Sequence, residues 1–181
     1  MRAINQKAKK VFDALTEGME QIGDHKKIEN EPYMPLSIEV IDTYGPDEGI
    51  QISLCHYGKQ NGDLMRDPEM IFIKALDGQY YPYYYRNDYV GIEQYSVEFA
   101  PDGMGIERYW KSLQRQQATF AGQWAQNLKE QGFIEALNKP TKEFKGDIRD
   151  FIGRDTTKQL EGAGLIKIED NRLIAILPEV V

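Results

Sequence analysis

The chain has 181 residues, a formal net charge of −7 and 41% hydrophobic residues. That size and composition indicate one globular domain, or one domain with a small appendage, and exclude disordered, collagen-like and coiled-coil chains. The acidic balance argues against a protein that coats nucleic acid or anionic membrane, and one Cys with two His excludes an internal disulfide and the usual Cys-rich zinc sites.

The first predicted element is an amphipathic helix over residues 3–22, and a connector follows it. The apolar residues of this segment are spaced three and four apart, which places them on one helical face. They are Ile4, Ala8, Val11, Phe12, Leu15, Met19 and Ile22. Residues 24–35 are polar and contain two prolines, so we expect them to connect the helix to the next element.

Residues 36–99 show the alternating pattern of β-strands. Five short runs, at 36–40, 50–54, 69–76, 80–86 and 91–99, are separated by turn signals. Parallel strands would need longer crossovers, so the spacing predicts an antiparallel sheet of about five strands. Pro82 interrupts the fourth run. Because proline cannot donate to a ladder, this run is either an edge strand or a strand with a bulge.

A helical period returns over residues 105–131, and a short tail follows. We expect a long helix there, with its many glutamines on the solvated face. In the tail, residues 144–152 indicate a further helix, and residues 165–168 and 173–176 indicate a hairpin. The predicted fold is α+β, in which the sheet is packed by the two longer helices. Residues 1–138 form this domain, and residues 139–181 form a helix–hairpin appendage, either packed on the domain or separate from it.

The sequence also carries information about the compartment. No signal peptide is readable, and no apolar run approaches the roughly 20 residues that span a bilayer. We therefore expect a soluble cytoplasmic protein without membrane contacts, whose Cys55 is reduced and buried.

Residues 56–72 form the most distinctive segment of the sequence, and two interpretations of it remain open. In the first, the stretch is a loop that places Leu64 or Met65 in the core, while Asp63 and Asp67 cap backbone N–H groups. The second interpretation is an oxygen-rich site for Mg²⁺ or Mn²⁺, formed by His56, Asp63, Asp67 and Glu69. The spacing of these carboxylates matches no EF-hand or two-metal motif.

A longer motif includes this stretch, and it consists of His56-Tyr57, Gln60-Asn61-Gly62-Asp63-Leu64-Met65, Asp67-Pro68-Glu69-Met70, Phe72, Tyr85-Arg86-Asn87-Asp88, Gly91 and Gln94. The motif resembles an uncharacterised domain carried by proteins of bacterial conjugative plasmids, integrative elements and phages. The resemblance covers residues 36–99 and implies a mobile-element accessory protein of the bacterial cytoplasm. It implies no activity and no catalytic residue.

Six of the eleven tyrosines lie within residues 80–89, and on a strand Tyr81, Tyr83 and Tyr85 share one face. One interpretation is aromatic packing against the helices, and the other is a stacking platform for a base, a sugar or a peptide. Arg86 is the only basic residue here, so nucleic acid is disfavoured as a ligand. A protein or peptide that adds to the edge strand fits better, and a second copy of the chain could pair in the same way.

The function predicted from these features is a non-catalytic, protein- or peptide-binding module. Residues 36–104 hold twelve acidic and four basic side chains, so the sheet carries the negative charge. No nucleophile elbow, Walker loop, dinucleotide-binding glycine motif or HExxH zinc motif occurs, and no cofactor is expected. The candidate binding residues are Asp63, Asp67, Tyr83, Tyr85 and Arg86. The alternative is a metal-dependent hydrolase or nuclease that uses the stretch with Asp63, Asp67 and Glu69.

Overall fold

The computed structural model describes residues 1–44, 49–101, 105–138, 154–162, 166–169 and 172–175. The chain divides into two compact units, Met1–Lys139 and Pro140–Val181. The first unit contains an antiparallel sheet with helices, and the second contains a helix and a two-stranded hairpin. The predicted α+β fold class is confirmed.

The first helix is shorter than predicted. Helix α1 spans Gln6–Leu15, and the Asn5 side chain caps it by accepting a hydrogen bond from the Ala8 N–H at 3.0 Å. The chain leaves the helix at Thr16 and passes through Gly18, whose φ is +74°. Glycine adopts this left-handed conformation without the steric cost of a side chain, so it ends the helix. The predicted continuation to residue 22 is therefore wrong, and Ile22 is 60% exposed.

The sheet has six strands rather than about five. The additional strand forms within residues 24–35, which were predicted to be a connector. Each strand pairs antiparallel with the next one along the chain, so the order in the sheet follows the order in the sequence. The strands are β1 His25–Ile28, β2 Leu36–Thr43, β3 Gly49–Gln60, β4 Asp63–Ala75, β5 Tyr80–Asn87 and β6 Ile92–Tyr95.

The predicted fifth strand divides between two sheets. Its first part is β6, and its last part, β7 (Val97–Phe99), pairs with β8 (Ile106–Tyr109) in a separate two-stranded ribbon. Strand β8 occupies positions that were expected to begin the long helix, so that prediction is wrong at its N-terminal end. Helix α2 spans Lys111–Glu130, and the short helix α3 (Phe133–Leu137) follows Gly132.

The main core lies between one face of the sheet and the helices α1 and α2. Phe12 of α1 is fully buried at its centre. Its ring makes edge contacts with Phe72 of β4, Tyr80 of β5 and Trp124 of α2, at centroid distances of 5.1, 5.8 and 6.4 Å. This one side chain therefore joins the sheet to both helices.

A second, smaller apolar cluster lies on the opposite face. It contains Ile73, Tyr83, Tyr84 and Val97, and Phe99, Ile106 and Tyr109 of the β7–β8 ribbon pack against it. Successive residues of a strand point to opposite faces, so Phe72 enters the main core while Ile73 enters this cluster. The ribbon therefore covers part of the face that the helices leave open.

Two glutamines of α2 are buried, although the sequence predicted them on a solvated face. Gln114 donates to the carbonyls of Arg2 and Pro82 at 2.8 and 3.2 Å and accepts from the Arg2 N–H. Gln117 accepts from the Ser96 hydroxyl at 2.6 Å. A buried amide is tolerated when both its donor and its acceptor have partners. These two glutamines therefore connect α2 to the N-terminus and the strands, while Gln116, Gln123 and Gln126 are exposed as predicted.

The second unit contains helix α4 (Arg154–Gly162) and the antiparallel strands β9 (Ile166–Glu169) and β10 (Arg172–Ala175). The predicted hairpin is confirmed in these strands. The helix predicted around residues 144–152 lies outside the described residues. Over the described parts of both units, no helix has the length and apolar character needed to cross a membrane.

Candidate functional site

The stretch predicted as a loop is the end of a long hairpin. Strands β3 and β4 continue to a turn at Asn61 and Gly62, whose φ values are +54° and +94°. Asn-Gly favours such two-residue hairpin turns, because both residues adopt positive φ readily. Asp63 is exposed beside the turn, and Leu64 is 62% exposed rather than placed in the core. Met65 is half-buried.

The four residues of the metal hypothesis do not converge in the structure. Glu69 accepts from the Ser53 hydroxyl at 2.9 Å, and Asp67 accepts from the Asn87 amide at 2.5 Å. His56 is buried, and its Nδ1 lies 3.2 Å from the Pro35 carbonyl oxygen. Within residues 1–44, 49–101, 105–138 and the described parts of the second unit, no group of three His, Cys, Asp or Glu side chains could hold a metal ion. The geometry does not favour the hydrolase alternative.

Ion pairs cross the open face of the sheet from β4 to β6. Arg66 pairs with Glu69 at 2.8 Å and with Asp88 at 3.6 Å, although its Nε makes no well-aligned hydrogen bond. Arg86 pairs with Asp88 at 2.6 Å and with Glu93 at 3.6 Å. The Arg66 backbone N–H and the Arg86 side chain lower the pKa of Asp88. Arg86 is thus held by carboxylates and fixes β6 against β5.

The tyrosines of β5 lie inside the sheet, since β5 pairs with β4 on one side and with β6 on the other. The prediction of an edge strand is wrong, and the bulge is present: Ile71 pairs with Tyr84 but Phe72 pairs with Pro82, so Tyr83 is an extra residue. The bulge also reverses which face the neighbouring side chains point to.

Tyr83 and Tyr85 consequently pack in different clusters rather than on one face. Tyr83 is 4% exposed, donates to Gln51 Oε1 at 2.5 Å and packs edge-on against Phe99. Burial raises the pKa of its phenol. Tyr85 is half-buried against Phe120 of α2, with ring centroids 5.2 Å apart. Neither ring is an open platform.

Exposed apolar side chains gather instead around the last strand of the sheet. We define the β6 edge as strand β6 with the turn residues before it and Trp110, which follows β8. The Trp110 N–H donates to the Ser96 carbonyl at 3.0 Å, which places Trp110 beside the end of β6. Four apolar side chains of this edge are 40% to 63% exposed, and these residues are Val90, Ile92, Tyr95 and Trp110. The Tyr89 side chain, in the turn before β6, reaches instead to Gly58 of β3.

The backbone of β6 presents hydrogen-bonding groups outward. The Ser96 N–H donates to the Tyr83 carbonyl at 2.7 Å, so these two residues form a hydrogen-bonded pair. In an antiparallel ladder such pairs alternate, and the register aligns Glu93 with Arg86 and Tyr95 with Tyr84. The N–H and C=O groups of Glu93 and Tyr95 therefore point away from β5. Among the described residues no strand pairs with that side of β6.

The opposite edge of the sheet, strand β1, differs from β6 in carrying lysines. Strand β1 carries Lys26 and Lys27, and the Lys26 ammonium group donates to the carbonyls of Leu15 and Glu17. Lysines on an edge strand disfavour pairing with another chain, because pairing would require removing their charge from water. The two edges therefore differ in their charged and apolar side chains.

The sequence profile of a domain of unknown function (DUF6908) matches residues 6–134. The chain belongs to this family. The match begins at α1 and ends within α3, so it extends well beyond the 36–99 region that carries the motif resemblance. No curated protein and no solved structure matches the chain. The DUF6908 domain therefore contains the sheet, both core helices and the β6 edge.

Acidification is expected to destabilise the DUF6908 domain through His56. Burial lowers the pKa of this imidazole, which packs between Trp124 and Phe133. The unfolded chain, with a His pKa near 6.5, then binds a proton that the folded state does not, so stability falls as the pH decreases below about 6.5. Urea unfolding between about pH 7.5 and 5.5 measures this slope.

The variant His56→Gln provides the control for that slope. It removes the titrating group while keeping a side-chain donor for the Pro35 carbonyl. Asp24 and Asp88, whose pKa values are lowered from 3.8, lose their stabilisation only in more acidic solution. An equal slope in the wild-type and His56→Gln proteins would contradict the assignment.

Proposed function

We propose that this domain is a non-catalytic protein- or peptide-binding module, and that its β6 edge accepts an extended strand from the partner. The observation that carries the proposal is the side of β6 with which none of the described strands pairs, where outward backbone groups lie among exposed apolar side chains. Main-chain hydrogen bonds supply affinity in this mode of recognition, and alternate side chains supply specificity. Without a partner, an exposed edge strand with apolar side chains around it would favour aggregation.

The surroundings of β6 support a fixed edge rather than a loose strand. Arg86 pairs with Glu93, and the Tyr84 hydroxyl donates to the same carboxylate at 2.8 Å. Gln117 of α2 donates to the Gln94 carbonyl at 3.3 Å, on the side opposite the free edge. A strand held in its paired conformation before binding loses less conformational entropy when the partner arrives.

The candidate residues take different roles in this proposal. Arg86 positions β6, and Tyr83 and Tyr85 stabilise β5 from its two faces. Asp63 and Asp67 belong to β4 and lie outside the strand-accepting edge. The paired state of Arg86 and the acidic surplus of the sheet disfavour nucleic acid as the ligand. From the motif resemblance we infer that the partner is a protein of the same bacterial mobile element and that binding takes place in the cytoplasm.

Replacing Glu93 by proline tests the edge directly. Proline lacks an N–H, and the Glu93 N–H points outward, so the ladder between β5 and β6 keeps its hydrogen bonds. The matched control is Glu93→Ala, which removes the same carboxylate but keeps the N–H. We expect partner binding, measured by affinity, to fall at least about tenfold in Glu93→Pro relative to Glu93→Ala, since one lost hydrogen bond costs about 1 kcal/mol and the proline ring obstructs strand approach.

Photo-crosslinking in cells that carry the mobile element identifies the partner. A photoreactive residue replaces Ile92 at the β6 edge, and the control replaces Leu76, which is 78% exposed in the turn between β4 and β5. We expect one defined adduct from position 92 that is lost in the Glu93→Pro background. A self-adduct would identify a second copy of the chain as the strand donor. Equal adducts from both positions, or an adduct insensitive to Glu93→Pro, would contradict the proposal.

A further inference from the structure

A small pocket lies away from the β6 edge, between strands β3 and β4 and the C-terminal half of α2. Its volume is about 200 Å³, which is smaller than the roughly 300 Å³ at which sites for drug-sized ligands begin. It therefore suits a single functional group, such as the end of one side chain. The lining residues that matter here are Tyr33, His56, Asp67, Trp124, Asn127 and Gln131.

The pocket carries one negative charge without a basic partner. Its lining contains Asp67 but no Lys or Arg. The nearby carboxylates Glu69, Asp88 and Glu93 all pair with arginine. In the described part of the chain, Asp67 forms no such ion pair; its Oδ1 accepts the Asn87 amide, which fixes the carboxylate in place. A fixed carboxylate at a pocket wall attracts a cation.

The remaining lining residues are aromatic, amide-bearing or, at Met34 and Pro68, apolar. Trp124 and Tyr33 are aromatic lining residues, and a cation within about 6 Å of the face of such a ring gains further attraction. Asn127 and Gln131 add carbonyl acceptors for N–H donors. His56 packs on Trp124 at a centroid distance of 5.7 Å and does not supply a competing positive charge, because burial lowers its pKa.

We propose that this pocket binds a guanidinium or ammonium group, with Asp67 as the counter-ion and Trp124 and Tyr33 as the aromatic walls. The group belongs either to an Arg or Lys side chain of a polypeptide or to a small organic cation. The inference goes beyond the proposed function, since the pocket is formed by the β1–β2 connection, β3, β4 and α2 and does not depend on strand addition at β6. It also brings together His56 and Asp67, two residues of the long sequence motif.

NMR of the full chain tests the pocket with defined probes. The protein has two tryptophans, so its indole N–H region holds two signals, which the spectrum of Trp110→Phe assigns. We titrate N-acetyl-arginine amide, N-acetyl-lysine amide, agmatine and the neutral N-acetyl-glutamine amide. We expect the cations to shift the Trp124 signal with dissociation constants on the order of millimolar, while Trp110 serves as an internal reference.

Asp67→Asn removes the charge at constant shape, and Asp63→Asn is the matched control in the exposed turn. We expect Asp67→Asn to weaken binding at least about fivefold and Asp63→Asn to leave it unchanged. Tyr33→Ala, at a surface position, should also weaken binding, and it keeps the test decisive if Asp67→Asn does not fold. Tighter binding of N-acetyl-arginine amide than of agmatine assigns the ligand to a polypeptide, and the reverse order assigns it to a free cation. Equal affinity for the neutral amide, or undiminished binding by the folded variants, would overturn the proposal.

Discussion

Replacing Tyr83 by serine is expected to lower the free energy of unfolding by about 3–4 kcal/mol. The side chain is 4% exposed and packs against Phe99 of the β7–β8 ribbon. Truncating a buried aromatic residue removes its transfer free energy and leaves a cavity that the surroundings only partly fill. Urea unfolding followed by tryptophan fluorescence measures the change, because both tryptophans lie in the first compact unit.

Tyr83→Phe separates the contribution of the ring to stability from that of the hydroxyl. This variant keeps the packing and removes only the hydrogen bond to Gln51, so we expect a loss of about 1 kcal/mol. If Tyr83→Ser instead left the stability intact and abolished the binding of a ligand, the residue would be a stacking platform rather than a core residue. The two variants together distinguish these roles for the tyrosine strand.

Replacing Phe12 by alanine is expected to have the largest effect, a loss of about 3–5 kcal/mol. Phe12 is fully buried and contacts aromatic rings of β4, β5 and α2, so the cavity lies where the sheet and both helices meet. Domains of this size are stable by only about 5–15 kcal/mol, so this loss removes a large share of the stability and lowers the midpoint of unfolding. Circular dichroism and urea unfolding measure both effects.

Ile22→Ala is the control, because the sequence pattern and the structure differ on whether Ile22 is buried. Both Phe12 and Ile22 belong to the apolar stripe predicted for residues 3–22, but the helix ends at Leu15 and Ile22 is exposed. Its truncation should change the stability by less than about 0.5 kcal/mol. Comparable losses for Phe12→Ala and Ile22→Ala would indicate that the helix continues as the periodicity suggested.

The fold class was predictable because strands and helices have different periods, and the antiparallel order followed from short connections. The ends of elements were not predictable in the same way. Strand β1 contains Lys26 and Lys27 and shows little apolar alternation, because it lies at an edge. The prediction of a solvated face is wrong for Gln114 and Gln117 only, because a side chain that satisfies its hydrogen bonds can be buried, and that depends on distant partners such as Arg2 and Ser96.

The location of the candidate site depends on the pairing register of the strands, which cannot be read from the sequence. Pro82 was correctly linked to an irregularity, but only the pairing of Phe72 with Pro82 shows that the irregularity is a bulge inside the sheet. Once β5 is interior, the edge moves to β6, of which the sequence motif contains only Gln94. The cluster of exposed apolar residues from Val90 to Tyr95 was the available signal, and the neighbouring tyrosines obscured it.

Under the proposed function, the difference between the two sheet edges limits the size of the assembly. A sheet that is receptive on both sides can recruit chain after chain and grow into a filament. In its described part, this sheet has lysines on β1, and β6 is the edge proposed to accept a strand. Strand addition should therefore end after one step, as a one-to-one complex or as a closed two-fold pair. Light scattering of the complex at increasing concentration should show a constant mass.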